Sequence, residues 1–291
     1  MNTVRATLIG IGAVLLWAML ALFTDATGAI PPLQLTAMSF AVAFLIAIGL
    51  WTAKGQNPLR RLAAPGGAWL LGVCGLFGYH AVYFLALKTA PVVDASLIAY
   101  LWPLLIVLFS ALLPGERLGW HHLTGALLGF AGAAVIVAGR GVSFDNLSVG
   151  YLAAAACALI WSGYSVLNRR FASVPTDVVG GFCAVTAVLA ALSHFTFEET
   201  VWPLSASQWL AVIGLGAGPV GGAFFLWDHG TKHGDLRILG ASAYLAPLLS
   251  TLILVAAGSA ELTWAVAAAC LMITGGAALA AKEMLRATLR A

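Results

Sequence analysis

Charge is the scarcest property of this sequence: of 291 residues, 14 are Lys or Arg and 11 are Asp or Glu, 9% in all. A soluble domain carries about 25%. This chain cannot wet a water-facing surface, which excludes a soluble enzyme or nucleic-acid binder from the outset. Cysteine is also sparse, at four residues. Cys74, Cys157, Cys183 and Cys270 share no paired spacing and have no neighbouring ligands. Neither a disulfide framework nor a metal site follows, and they read as small apolar packing residues. The phosphate-cradling loop Gly-x-x-x-x-Gly-Lys-Ser/Thr is also missing, so the chain does not drive itself with ATP.

Apolar length is what the chain has in quantity, with 62% of its residues hydrophobic. Runs of about 20 residues, each able to cross the bilayer core, recur throughout. They predict spans at 5–23, 33–52, 67–87, 92–114, 121–139, 150–168, 175–197, 206–228, 238–258 and 263–282. The fold class is all-α: a polytopic membrane protein of ten transmembrane helices, with no loop long enough to fold separately. Lys and Arg at span ends set orientation. With the N-terminus inside, Arg5, Lys54, Arg60, Arg61, Arg117, Arg169, Arg170, Lys232, Arg237, Lys282, Arg286 and Arg290 fall on the cytoplasmic side, and only Lys88 and Arg140 outside. Both termini are then cytoplasmic and the loop near Asp145 external. The first span follows Arg5 but carries no small-residue cleavage site, so it reads as a retained helix. The expected location is a bacterial-type inner membrane.

The chain repeats itself at an offset of 144 residues. Ala99-Tyr100-Leu101-Trp102-Pro103-Leu104-Leu105 meets Ala243-Tyr244-Leu245-Ala246-Pro247-Leu248-Leu249, with six of seven residues in agreement. The same register pairs Trp17 with Trp161, Pro31 with Pro175, Lys88 with Lys232, Trp120 with Trp264 and Gly132 with Gly276. Two five-span halves follow, 1–145 and 146–291. Five is odd, so the second half must lie inverted in the membrane. Inverted repeats put a substrate site near the midplane, between the halves.

Pro103 and Pro247 fall near the centres of spans four and nine, where each removes a backbone hydrogen bond and bends the helix. A hinge and a passive packing kink are equally consistent with that. Gly218, Gly221 and Gly222 in span eight suggest a hinge or unwound turn, with close helix contact as the plainer alternative. Gly125, Gly129, Gly132, Gly275 and Gly276 read as helix-packing positions.

Polar and aromatic groups deep in a span are the candidate site, since a polar group facing lipid is costly. Tyr79, His80 and Tyr83 share one face of span three. Tyr100 and Trp102 lie just before Pro103. Trp17, Trp161 and Tyr164 are central in spans one and six, and Phe224, Trp227 and Tyr244 are the second half's contribution. Trp51, Trp120, Trp202, Trp209 and Trp264 read instead as interfacial anchors near span ends. No span centre carries Asp, Glu, Lys or Arg. The dense group Asp228, His229, Lys232, His233 and Asp235 reads as a cytoplasmic loop with a gate salt bridge. An uncharged aromatic lining suits a zwitterion with an apolar side chain better than a cationic drug or a phosphate.

A ten-span chain of two five-span repeats resembles the EamA branch of the drug/metabolite transporter superfamily. The likeness is carried by Ala86-Leu87-Lys88-Thr89-Ala90 through Pro103 to Gly115-Glu116-Arg117-Leu118, then by Gly125 to Gly132, and more weakly from Lys232 through Pro247 to Glu261-Leu262. Gly78-Tyr79-His80-Ala81-Val82-Tyr83 and Tyr100-Leu101-Trp102-Pro103 look like the YddG-type aromatic amino acid exporters within that branch. The resemblance implies a secondary transporter that exports small neutral amino acids through the bilayer by alternating access. No cofactor, metal or nucleic acid is expected, and a monomer suffices. Export of another neutral metabolite or drug is the alternative reading. An intramembrane enzyme would need a second acid or histidine beside Ser96, Ser162 or Ser165, and a channel would not saturate.

Overall fold

A computed structural model of the chain describes residues 2–138, 149–256 and 263–282. Among them there is no strand. Nine helical segments are long and apolar enough to cross a membrane: α1 (Thr3–Ala26), α2 (Pro32–Ala53), α3 (Gly66–Thr89), α4 (Val92–Ser110), α5 (Trp120–Val137), α6 (Val149–Phe171), α7 (Thr176–Phe197), α8 (Ala206–His233) and α9 (Leu236–Ile253). A shorter apolar helix, α10 (Trp264–Ala280), follows. Helix is the form such runs must take, because it satisfies every backbone polar group inside its own segment. The ends are marked locally. Asn2 caps α1, Ser205 and Gln208 form a capping box at α8, Asp235 caps α9 and Thr263 caps α10. The loop residues Arg140 and Asp145, together with Glu261, Leu262, Arg286 and Arg290, lie outside the described residues.

Several helices are interrupted, and the interruptions recur. α3 contains a π-helical turn at Cys74–Gly78 and α8 one at Gly218–Gly222, a separation of 144 residues. The helical stretches that follow, Tyr79–Thr89 and Ala223–His233, keep that separation at both ends, as do Val92–Ala99 and Leu236–Ala243. α4 breaks at Tyr100 and Leu101, α9 at Tyr244, and α1 at Ala18 and Met19. Packing follows the same order. α1 lies against the end of α8 and α6 against the end of α3, while α2 pairs with α7 and α5 with α10. At the α5–α10 crossing a Cβ on Gly125 would come within 2.5 Å of the Gly276 carbonyl oxygen, so these glycines are helix-contact positions.

Two expectations are corrected by burial. Asp228 to His233 is not a loop: the helix runs on through His233, with Asp228 fully buried and Lys232 3% exposed. The two sit one turn apart and pair, which offsets the penalty that isolated charges would carry there. Trp51 is not an interfacial anchor either. It is 4% exposed and donates its indole N–H to Asp177 at 3.3 Å. Trp120, Trp202, Trp209 and Trp264 are all exposed, as a belt residue must be.

Candidate functional site

A cavity of about 390 Å³ lies among α1, α3, α4, α5, α6, α8 and α9, a size that suits a small molecule. Its walls are built where helices are interrupted. Leu20 follows the break in α1, Tyr79 and His80 follow the π-turn of α3, Tyr100 and Trp102 flank the break in α4, and Pro219 and Val220 belong to the π-turn of α8. Irregular backbone at membrane depth is tolerated when it lines such a space. Leu20 and Ala21 of α1 and Val92 at the start of α4 are the exposed members of its lining.

One wall carries the stripe of α3. The Tyr79 and Tyr83 rings stack at 5.8 Å, and His80 meets Tyr79 edge-on at 5.4 Å. The Tyr83 and Ser96 hydroxyls are 3.2 Å apart. His80 Nδ1 is 2.7 Å from the Leu76 carbonyl oxygen. A carbonyl only accepts, so Nδ1 carries the hydrogen and Nε2 of the neutral ring is left as an acceptor. Beneath lies a tryptophan cluster: Trp17 is 5.0 Å from Trp227, 5.8 Å from Trp161 and 6.1 Å from Trp102. Phe224 stacks on Phe40 at 5.5 Å, and Phe40 in turn meets His80 at 5.3 Å. Ring faces of this kind attract an ammonium group.

Of the residues expected to line the site, Trp17, Tyr79, His80, Tyr83, Tyr100, Trp102, Trp161 and Phe224 do so, together with Pro247. Tyr164, Trp227 and Tyr244 stand behind the lining. Tyr164 packs against Trp161 at 5.2 Å and over Gly75, where a Cβ would come within 2.5 Å of its ring. Trp227 is buried under the cluster and donates to the Ser165 hydroxyl at 3.0 Å. Tyr244 is wholly buried, and its hydroxyl donates to the Tyr100 carbonyl at 3.2 Å and accepts from the Leu104 N–H at 3.1 Å. Gly218, Gly221 and Gly222 form the π-turn of α8, and Pro103 opens the second half of α4. Sequence reasoning missed Ser250 and Thr251, which line the cavity one turn beyond Pro247. Hydroxyls one turn past an intramembrane proline were the available signal. Asp94, in the first turn of α4, is fully buried and accepts from the Tyr151 hydroxyl at 3.0 Å.

The opposite end of the molecule is shut by ion pairs. Lys232 Nζ is 2.9 Å from Asp228 Oδ2 and donates to the Val174 carbonyl at 3.0 Å. Asn168 and Thr176 donate to the two Asp228 oxygens at 3.0 and 2.7 Å. Arg169 donates to the Thr231 and Gly234 carbonyls, and both Arg169 and Arg237 approach Glu116, at 3.6 and 3.5 Å. Burial pushes the Asp235 carboxyl up, but the Arg237 guanidinium and the backbone N–H groups of Arg237 and Ile238 outweigh it and hold the group below its usual range. The ends of α6 and α8, the start of α9 and the loop after α4 are thereby tied together.

Residues 4–138 match the model of the EamA-like transporter family. The chain is 56% identical over 283 residues to a protein of Ancylobacter novellus named aromatic amino acid exporter YddG, covering 96% of this chain and 98% of that one. It is 25% identical over 292 residues to the Escherichia coli protein of the same name, covering 96% and 97%. A solved crystal structure 54% identical in sequence superposes with a TM-score of 0.89, covering 96% of this chain and 98% of that one. With apolar helices around a central cavity and a relative of this identity along nearly its whole length, the chain belongs to the EamA-like transporter family.

Proposed function

We propose that this protein exports neutral amino acids, aromatic and other apolar ones foremost, across a bacterial-type inner membrane by alternating access, as a monomer. The observation that carries the reading is the cavity lining: rings, hydroxyls and one imidazole, with no carboxylate, ammonium or guanidinium among the described lining residues. A cationic drug would lack a counter-ion there, and a phosphate would lack a cation. A zwitterion has a partner for each pole. Its ammonium meets ring faces and the accepting Nε2 of His80, and its carboxylate takes donors from Tyr83, Ser96 and the Trp102 indole. The names of the Ancylobacter and Escherichia relatives point the same way. An exporter must release what it binds, so dissociation constants of high micromolar to millimolar are expected, about −4 to −6 kcal/mol.

The working architecture is two halves, 1–145 and 146–291, inverted relative to each other, with both termini cytoplasmic. The matched helix bounds and the Lys and Arg distribution support it. The ion-paired end is then cytoplasmic and the cavity opens outward. A cysteine at position 204, highly exposed between α7 and α8, should react with an impermeant reagent applied outside, and one at position 57 should not. The reverse pattern refutes the orientation. The activity itself is tested by uptake into liposomes containing only this protein, across the neutral amino acids, with and without a pH gradient. Saturable uptake with mutual competition is expected. Uptake that rises linearly with concentration would indicate a channel.

A further inference from the structure

The two tyrosines of the repeated heptapeptide stand in different places. Tyr244 is buried with its hydroxyl inserted into the break of α4, while its counterpart Tyr100 faces the cavity. The insertion has a clear backbone logic. Leu104 N–H would close on the Tyr100 carbonyl in an unbroken helix. Here that link is replaced by a single hydroxyl that accepts from the one and donates to the other. Next to it Pro103 has no N–H to offer, so the break is held open with Tyr100 and Leu101 outside the helix and Tyr100 and Trp102 directed to the cavity. The break in α9 is a single residue, Tyr244 itself. The groups that would receive a hydroxyl there are the Tyr244 carbonyl and the Leu248 N–H, at the same offset of 144 residues from Tyr100 and Leu104.

We propose that these tyrosines act as alternating keys. In the present state the Tyr244 hydroxyl holds α4 open, and in the opposite state the Tyr100 hydroxyl holds α9 open between the Tyr244 carbonyl and the Leu248 N–H, while Tyr244 takes its place in the cavity wall. This rests on the reading of the chain as two inverted halves, because the pseudo-two-fold axis relating such halves makes the mirror state the one in which their two forms are exchanged. Tyr244 is thus a positioning residue for the cavity in the state described here, although it does not line it. Each key is one hydroxyl, so a Tyr→Phe change removes it while keeping the ring.

The test reads accessibility, which needs no substrate and so decides the point whether or not uptake is observed. In a variant with its four native cysteines replaced, a single cysteine at Ser250 reports on the open cavity through its rate of reaction with an impermeant maleimide added outside intact cells. Tyr244→Phe leaves the Tyr100 carbonyl and the Leu104 N–H without their partner in the present state only, so the rate is expected to fall about tenfold. Tyr100→Phe removes the key of the other state, so the rate should hold or rise. In the double variant both states lose the same bond, and the rate should return toward that of the parent, which also establishes that Tyr244→Phe folds. Equal rates in all variants overturn the proposal, as does a fall in both single variants that the double variant deepens. Uptake assayed in parallel separates this outcome from failure of the transport reading.

Discussion

At the scale of single residues, the cavity wall separates groups by what they can donate. His80 is tied through Nδ1 to Leu76, so its free nitrogen accepts, while Tyr83 and Ser96 share one hydrogen bond and keep a further donor. His80→Ala and Tyr83→Phe should therefore weaken transport by different routes, through the ammonium and the carboxylate of the substrate. Loss of a buried partner is worth about 1–3 kcal/mol, which corresponds to a fall in uptake rate at low concentration from several-fold upward. Trp102→Ala instead enlarges a cavity of about 390 Å³ at its tryptophan cluster, and should alter the preference between phenylalanine and smaller substrates more than the overall rate. Initial rates against concentration in liposomes, for phenylalanine, threonine and methionine, distinguish these outcomes. If all three variants behave like the parent, the cavity is not the substrate site.

At the scale of helices, the prolines and the π-turns mark where a regular helix gives way to the cavity. Pro103→Ala would restore an N–H able to close on the Ala99 carbonyl, drawing α4 straight and expelling the Tyr244 hydroxyl. Pro247→Ala would do the same in α9. Both should slow transport while leaving folded yield near that of the parent, and parental rates in both variants would reduce the prolines to packing residues. The helices themselves were legible from the sequence because a run of about 20 apolar residues has few other fates. The end of α8 was not. A hydropathy pattern counts Asp228 and Lys232 as two charges, whereas in the fold they are one neutralised pair, with Asn168 and Thr176 completing the hydrogen bonds from α6 and α7. Trp51 was misread for a similar reason, since its partner Asp177 is distant in sequence. The stripe on α3 was legible because its members are local. The division of labour between Tyr100 and Tyr244 was not, because the two heptapeptides differ only at Trp102 and Ala246 and carry nearly the same local signal, so the packing tells the tyrosines apart.

At the scale of the whole molecule, one end holds an open cavity and the other a layer of ion pairs, and the two must be energetically opposed if access alternates. Opening the shut end requires α6, α8, α9 and the loop after α4 to separate, so Arg169 and Arg237 must leave Glu116. Those contacts are partly exposed and individually weak, of order 0–1 kcal/mol, which is suitable for a device that must open on each cycle. The Asp228–Lys232 pair differs in kind. Both partners are on α8 and both are buried, so the pair can travel with the helix as a unit without being broken. Removing one partner leaves the other charged and unpaired, at a cost of about 3–5 kcal/mol, whereas replacing both by uncharged groups of similar volume is often close to neutral. Lys232→Met and Asp228→Asn alone should each lower the yield and thermal stability of folded protein sharply, and the double variant should recover most of both. Transport in the recovered double variant then separates two roles. Near-parental rates mean the pair only holds α6 and α7 to α8, whereas a folded but inactive double variant means the pair must itself separate during the cycle.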